Sequence, residues 1–153
     1  MPTVTKTLLA ALIATAALAT PAFAQSASGT IRLNGTVALT CTVAVADANQ
    51  SLNLLSGENE KVVGTVTENC NGAQGYRISL SSSNNGRLKS GNNAIDYQVK
   101  YENQGGSLGG TMVVDRGNAQ FDKRVDLKVT VPANAQAIAG AYTDTVTIQI
   151  AAK

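Results

Sequence analysis

From Ala27 to Val43 every second residue is apolar or glycine: Ala27, Gly29, Ile31, Leu33, Gly35, Val37, Leu39, Cys41 and Val43. The residues between them are Ser28, Thr30, Arg32, Asn34, Thr36, Ala38, Thr40 and Thr42, polar except for Ala38. Side chains of a strand alternate between its two faces, so this period of two predicts a half-buried strand. At 17 residues it is far longer than the usual strand, which has about five or six. The length raises the question of whose core its apolar face fills.

The same period recurs down the chain. Lys61 to Thr67 (KVVGTVT) is a strand candidate ending near Cys70. Tyr76, Ile78 and Leu80 alternate with Arg77, Ser79 and Ser81, and Asn84-Asn85-Gly86 then predicts a hairpin, because Asn and Gly tolerate positive φ. Arg87 to Lys89 begins the return strand. Ala94 to Tyr101 (AIDYQVKY) places Ile95, Tyr97, Val99 and Tyr101 on one face. Asn103 to Gly110 holds four glycines in eight residues and reads as a loop. Thr111 to Asp115 is a short strand. Val125, Leu127, Val129 and Val131 form another, ended by Pro132, which cannot donate to a ladder. Tyr142, Val146, Ile148, Ile150 and Ala152 alternate to within one residue of Lys153. No stretch after the first 24 residues has a helical period. About seven short strands separated by turns predict an all-β, two-sheet sandwich. Its last strand would leave an edge that needs a partner.

Residues 1–24 are read as a signal peptide. Lys6 supplies the charge, Leu8 to Leu18 the apolar segment, and Ala22-Phe23-Ala24 the small-x-small cleavage form. The apolar segment falls short of the roughly 20 residues needed to span a bilayer, and no later stretch qualifies, so no transmembrane segment is expected. Of 12 basic residues Lys6 leaves with the leader, so 11 remain against 10 acidic ones. That balance argues against nucleic acid as a partner. In an exported chain Cys41 and Cys70 predict a structural disulfide rather than a redox or metal pair, since there is no histidine and no CxxC.

Catalytic chemistry finds little support. No histidine is present to act as a base, and no GxSxG, phosphate loop or metal-spaced cluster occurs. Neither catalytic residues, cofactor nor metal is therefore expected. Asp115, Asp122, Asp126 and Asp144 fit solvated strand faces and turns better than paired catalytic acids. Tyr97 and Tyr101 fit sheet packing, with sugar stacking the less frequent use of such a pair. Asn34-Gly35-Thr36 matches a glycosylation sequon and carries little weight in a bacterial-type secreted chain.

Three stretches carry a resemblance. GTIRLNGTVALTCTV (Gly29 to Val43), GTVTENCNGAQGYRISL (Gly64 to Leu80) and AIAGAYTDTVTIQI (Ala137 to Ile150) are similar to segments of the spore coat protein U domain, the domain of archaic chaperone–usher pilus subunits. The terminal motif and the cysteine placement are the specific parts. The chain departs from the family in lacking a terminal aromatic residue and the Phe-Gly after the first cysteine. The resemblance implies an incomplete immunoglobulin-like β-sandwich of pilin type, missing its last strand, over residues 35–153. Residues 25–34 would then be a donor segment, with Ala27, Gly29, Ile31 and Leu33 inserted into a neighbouring subunit. Val37, Leu39 and Cys41 would belong to the subunit's own first strand. Tyr142, Val146, Ile148 and Ile150 would line the acceptor groove. The implied partners are neighbouring pilus subunits, a periplasmic chaperone and an outer-membrane usher. The implied location is the periplasm in transit, then the cell surface, in adhesion or biofilm formation. The alternative is a monomeric secreted sandwich that binds a surface glycan or protein, with its N-terminal strand folded onto its own groove.

Overall fold

The computed structural model describes residues 26–153. The signal peptide read over residues 1–24 lies outside them. The described chain divides at Gly35. Residues 26–35 contain no strand and are exposed throughout.

Residues 36–153 form ten strands and no helix. In chain order these are β1 (Cys41–Asp47), β2 (Glu58–Cys70), β3 (Tyr76–Ser82), β4 (Arg87–Ser90), β5 (Asn93–Asp96), β6 (Gln98–Tyr101), β7 (Gln104–Gly106), β8 (Met112–Arg116), β9 (Gln120–Val131) and β10 (Val146–Ala152). One sheet has the order β1-β2-β9-β6-β7, the second β10-β3-β8, and β4-β5 is a separate hairpin. All pairs are antiparallel. The inward residues of both sheets form one core, with Val66, Tyr76, Ile78, Leu80, Val99, Tyr101 and Val129 among its buried members. This is a β-sandwich, as the alternation predicted.

Gly75 links the sheets. It turns the chain between β2 and β3 with φ +81, and a Cβ there would lie 2.0 Å from the Arg116 carbonyl oxygen. No other residue type fits that approach.

Several expectations need correction. The first strand begins at Cys41, so Val37 and Leu39 lie outside it and are 88% and 61% exposed. Asn71 holds this approach instead: its Oδ1 accepts from the Thr40 amide at 2.7 Å and its Nδ2 donates to the Ala38 carbonyl at 2.7 Å. Ala94 to Tyr101, a single alternation in sequence, is two strands that part at Tyr97, with β5 in the hairpin and β6 in the five-stranded sheet. The Gly-rich stretch from Asn103 contains β7, a three-residue strand paired with β6. The last strand starts at Val146, leaving Tyr142 in the preceding loop.

Candidate functional site

β1 and β10 are the outer strands of the two sheets on the same flank, and their backbones come within 8 Å of each other in places. No ladder joins them, and among the described residues no strand pairs with the outer edge of either. The flanking hydrogen bonds fix which backbone groups face outward. On β10 the Thr145 carbonyl accepts from Ser83 at 3.0 Å and the Lys153 amide donates to Gly75 at 3.3 Å. Odd-numbered residues thus face β3. By the period of two, Val146, Ile148, Ile150 and Ala152 turn their N–H and C=O groups to the open edge. On β1 the Thr40 carbonyl accepts from Asn71 at 3.1 Å and the Ala48 amide donates to Val63 at 3.0 Å. Cys41, Val43, Val45 and Asp47 therefore present theirs.

The same residues send their side chains toward the core without being covered by it. Ile78 and Leu80 of β3, which pair with Ile150 and Ile148, are fully buried, whereas Val146, Ile148 and Ile150 are only half-buried. On β1, Cys41 and Val43 are half-buried and Val45 is 55% exposed. Both unpaired backbone and uncovered core thus lie along one cleft. Covering the rest of each aliphatic side chain would stabilise the assembly by about 1 kcal/mol.

The cleft has two unlike ends. At one, Cys41 and Cys70 are disulfide-bonded and form the first pair of the β1–β2 ladder. At the other, beside Asp47 and Val146, it widens into a cavity of about 560 Å³ floored by Leu52, Leu54, Leu88, Tyr97 and Val129. Tyr142 lines this cavity and its hydroxyl donates to the Ile138 carbonyl at 2.9 Å. The expected groove residues Val146, Ile148 and Ile150 thus share one edge, and Tyr142 stands at its wide end. Ala27, Gly29, Ile31 and Leu33 lie in the strand-free segment, where Ile31 and Leu33 are 86% and 91% exposed.

Asp144 fixes the loop at the wide end. Its carboxylate accepts from Tyr97 Oη at 2.6 Å, Ser82 Oγ at 2.5 Å, and the amides of Asn84 and Thr145 at 3.0 and 2.7 Å. It is a turn-capping group with its lone pairs occupied. Burial, and then the Asp144 carboxylate, push the Tyr97 hydroxyl well above its usual range. Tyr97 and Tyr101 are core residues, 4% and 0% exposed, which fits sheet packing.

Sequence reasoning missed Glu68. It is the one buried charged residue among those described, and it sits on the core face of β2 between Val66 and Cys70. Its carboxylate accepts from Tyr76 Oη at 2.5 Å, Tyr101 Oη at 2.6 Å, and Arg116 Nε and Nη2 at 2.9 and 2.8 Å. Arg116 also donates to Glu102, which Lys123 reaches at 2.7 Å. Burial pushes the Glu68 carboxyl up, but Arg116 and the two tyrosine hydroxyls outweigh it and hold the group below its ordinary value. The signal was present: the period of two puts both Glu68 and Arg116 on core faces, where each charge requires the other. Among the described residues no three His, Cys, Asp or Glu side chains gather as a metal site.

No curated protein sequence matches the chain significantly. Among solved structures it is similar to the E. coli Hda pilus minor tip subunit HdaB, at 15% identity over 71% of this chain and 79% of that one, with a TM-score of 0.40. The sequence itself matches the Spore Coat Protein U domain over residues 27–149, from the strand-free segment through most of β10. The chain belongs to the Spore Coat Protein U domain family.

Proposed function

We propose that this chain is a structural subunit of a surface pilus, polymerised by donor-strand complementation. Residues 27–33 of one copy enter the cleft between β1 and β10 of the next. The observation that carries this is the pair of facing edges whose inward residues, Val43, Val45, Ile148 and Ile150, remain partly uncovered. An alternating segment seated there satisfies both backbones and sends every second side chain into the core. Ala27, Gly29, Ile31 and Leu33 supply that alternation. Strands pair about 4.8 Å apart, so a seated strand needs about 9.6 Å between its neighbours. Where β1 and β10 now approach within 8 Å, the cleft widens on occupation. Family membership extends the reading to export, delivery by a periplasmic chaperone, assembly at an outer-membrane usher, and a role in adhesion or biofilm formation.

Deletion of residues 25–33 tests the core of the proposal. The shortened subunit is expected to be exported and to fold when its cleft is complemented, yet to give no ladder of SDS-resistant oligomers in unheated surface extracts. Ladders that persist overturn the reading, as does a full-length chain that purifies only as a stable monomer.

A further inference from the structure

The approach to β1 is held by one side chain beyond the last strand pair. Thr40 and Asn71 come next to the Cys41–Cys70 pair in the ladder register. The Asn71 amide donates to the Thr40 carbonyl at 3.1 Å, as an antiparallel pair requires. The return bond goes to the side chain: the Thr40 amide donates to Asn71 Oδ1 at 2.7 Å. Asn71 Nδ2 then reaches on to the Ala38 carbonyl, also at 2.7 Å. A side-chain amide presents an acceptor and a donor on one planar group, whereas an ionised aspartate in its place could only accept. Leu39 adds packing, with its Cδ1 3.2 Å from where a Cβ on Gly72 would stand. Residues 38–40 are thereby fastened to the disulfide end of the sandwich, although no strand includes them.

This fastening divides the tether between the proposed donor segment and the sandwich. Leu33 is the last inserting side chain and Cys41 the first residue of β1, with seven residues, 34–40, between them. Asn71 holds 38–40, which leaves four, Asn34, Gly35, Thr36 and Val37. Thr36 and Val37 are exposed and make no hydrogen bond among the described residues. Fully extended, four residues reach about 14 Å and seven about 25 Å. A joint of four residues lets one subunit lean against the next far less than a joint of seven.

We infer that Asn71 is a positioning residue for the polymer: by pinning residues 38–40 it sets the length of the joint between successive subunits, and with it the stiffness of the fibre. The inference rests on the donor-strand reading.

Surface fibres of the full-length chain carrying Asn71→Ala or Asn71→Asp test it by negative-stain electron microscopy, with the 25–33 deletion run in parallel. Asn71→Ala loses both side-chain bonds. It is expected to shorten the persistence length of the fibre about twofold, as the joint lengthens from four residues to seven. Asn71→Asp keeps an acceptor for Thr40 and loses the donor to Ala38, so its fibres should fall between those of the parent and of Asn71→Ala. A merely structural role for Asn71 would lower the urea midpoint of the subunit and leave the stiffness alone. Asn71→Ala fibres as stiff as the parent's, whatever the urea midpoint, therefore overturn the inference. So does failure of both variants to be exported or assembled, which makes Asn71 a folding residue only. These outcomes leave the donor-strand reading intact. Fibres from the deletion variant, or none from the parent, overturn both.

Discussion

Arg116 grips Glu68 with two parallel hydrogen bonds, Nη2 to Oε1 at 2.8 Å and Nε to Oε2 at 2.9 Å, and so ties the three-stranded sheet to the five-stranded one. The carboxylate is fully buried and also holds a tyrosine hydroxyl from each sheet. Arg116→Ala leaves that charge buried without its counter-ion and is expected to cost about 3–5 kcal/mol. Replacing both residues with methionine should cost less than Arg116→Ala, because no charge is then stranded, the remaining cost being that of the Tyr76 and Tyr101 hydroxyls left without an acceptor. Urea unfolding of the two variants checks the order.

The same pair sets an acid limit. The Glu68 carboxyl titrates below its ordinary value of 4.5 in the folded chain. A depressed carboxyl contributes its stabilisation above the unfolded-state pKa and loses it as pH falls through the folded one. Stability should hold near pH 7 and fall below about pH 4.5. Glu68→Gln should flatten that fall while lowering the neutral-pH plateau, read from urea midpoints across pH.

Ile148 and Ile78 lie on adjacent strands of one sheet, yet only Ile78 is fully buried. In a subunit lacking residues 25–33, Ile78→Ala is expected to cost about 2–5 kcal/mol and Ile148→Ala about half that. Adding a peptide of residues 26–34 should raise the cost of Ile148→Ala toward that of Ile78→Ala, because the seated strand completes its burial. Paired urea curves with and without peptide check this, and a cost for Ile148→Ala unchanged by peptide would count against the cleft as the acceptor.

Much of the fold was legible in the alternation. The inward residues of β3, β9 and β10 are those that the period of two selected, and Cys41 is bonded to Cys70. Partnership was harder to read. Val37 and Leu39 continue the pattern of Cys41 without a break, because alternation records which face a side chain takes and nothing about whether a neighbour covers that face. Tyr97 likewise sits in an unbroken alternation at the point where the chain passes from the hairpin to the five-stranded sheet. Glu68 carried a readable parity, but its partner lies 48 residues away.

By itself the sequence determined local matters: where strands can form, which side chains share a face, where turns fall, and that an alternating segment precedes the first cysteine. These follow from backbone geometry with a period of two and from the chemistry of Gly, Asn and Pro. Only the tertiary structure decided which strand edges meet a partner and which stay open. It also decided that the two open edges face each other and that Glu68 finds Arg116. Edge pairing and charge pairing join residues far apart in the chain, and no local pattern encodes the order in which strands assemble into sheets.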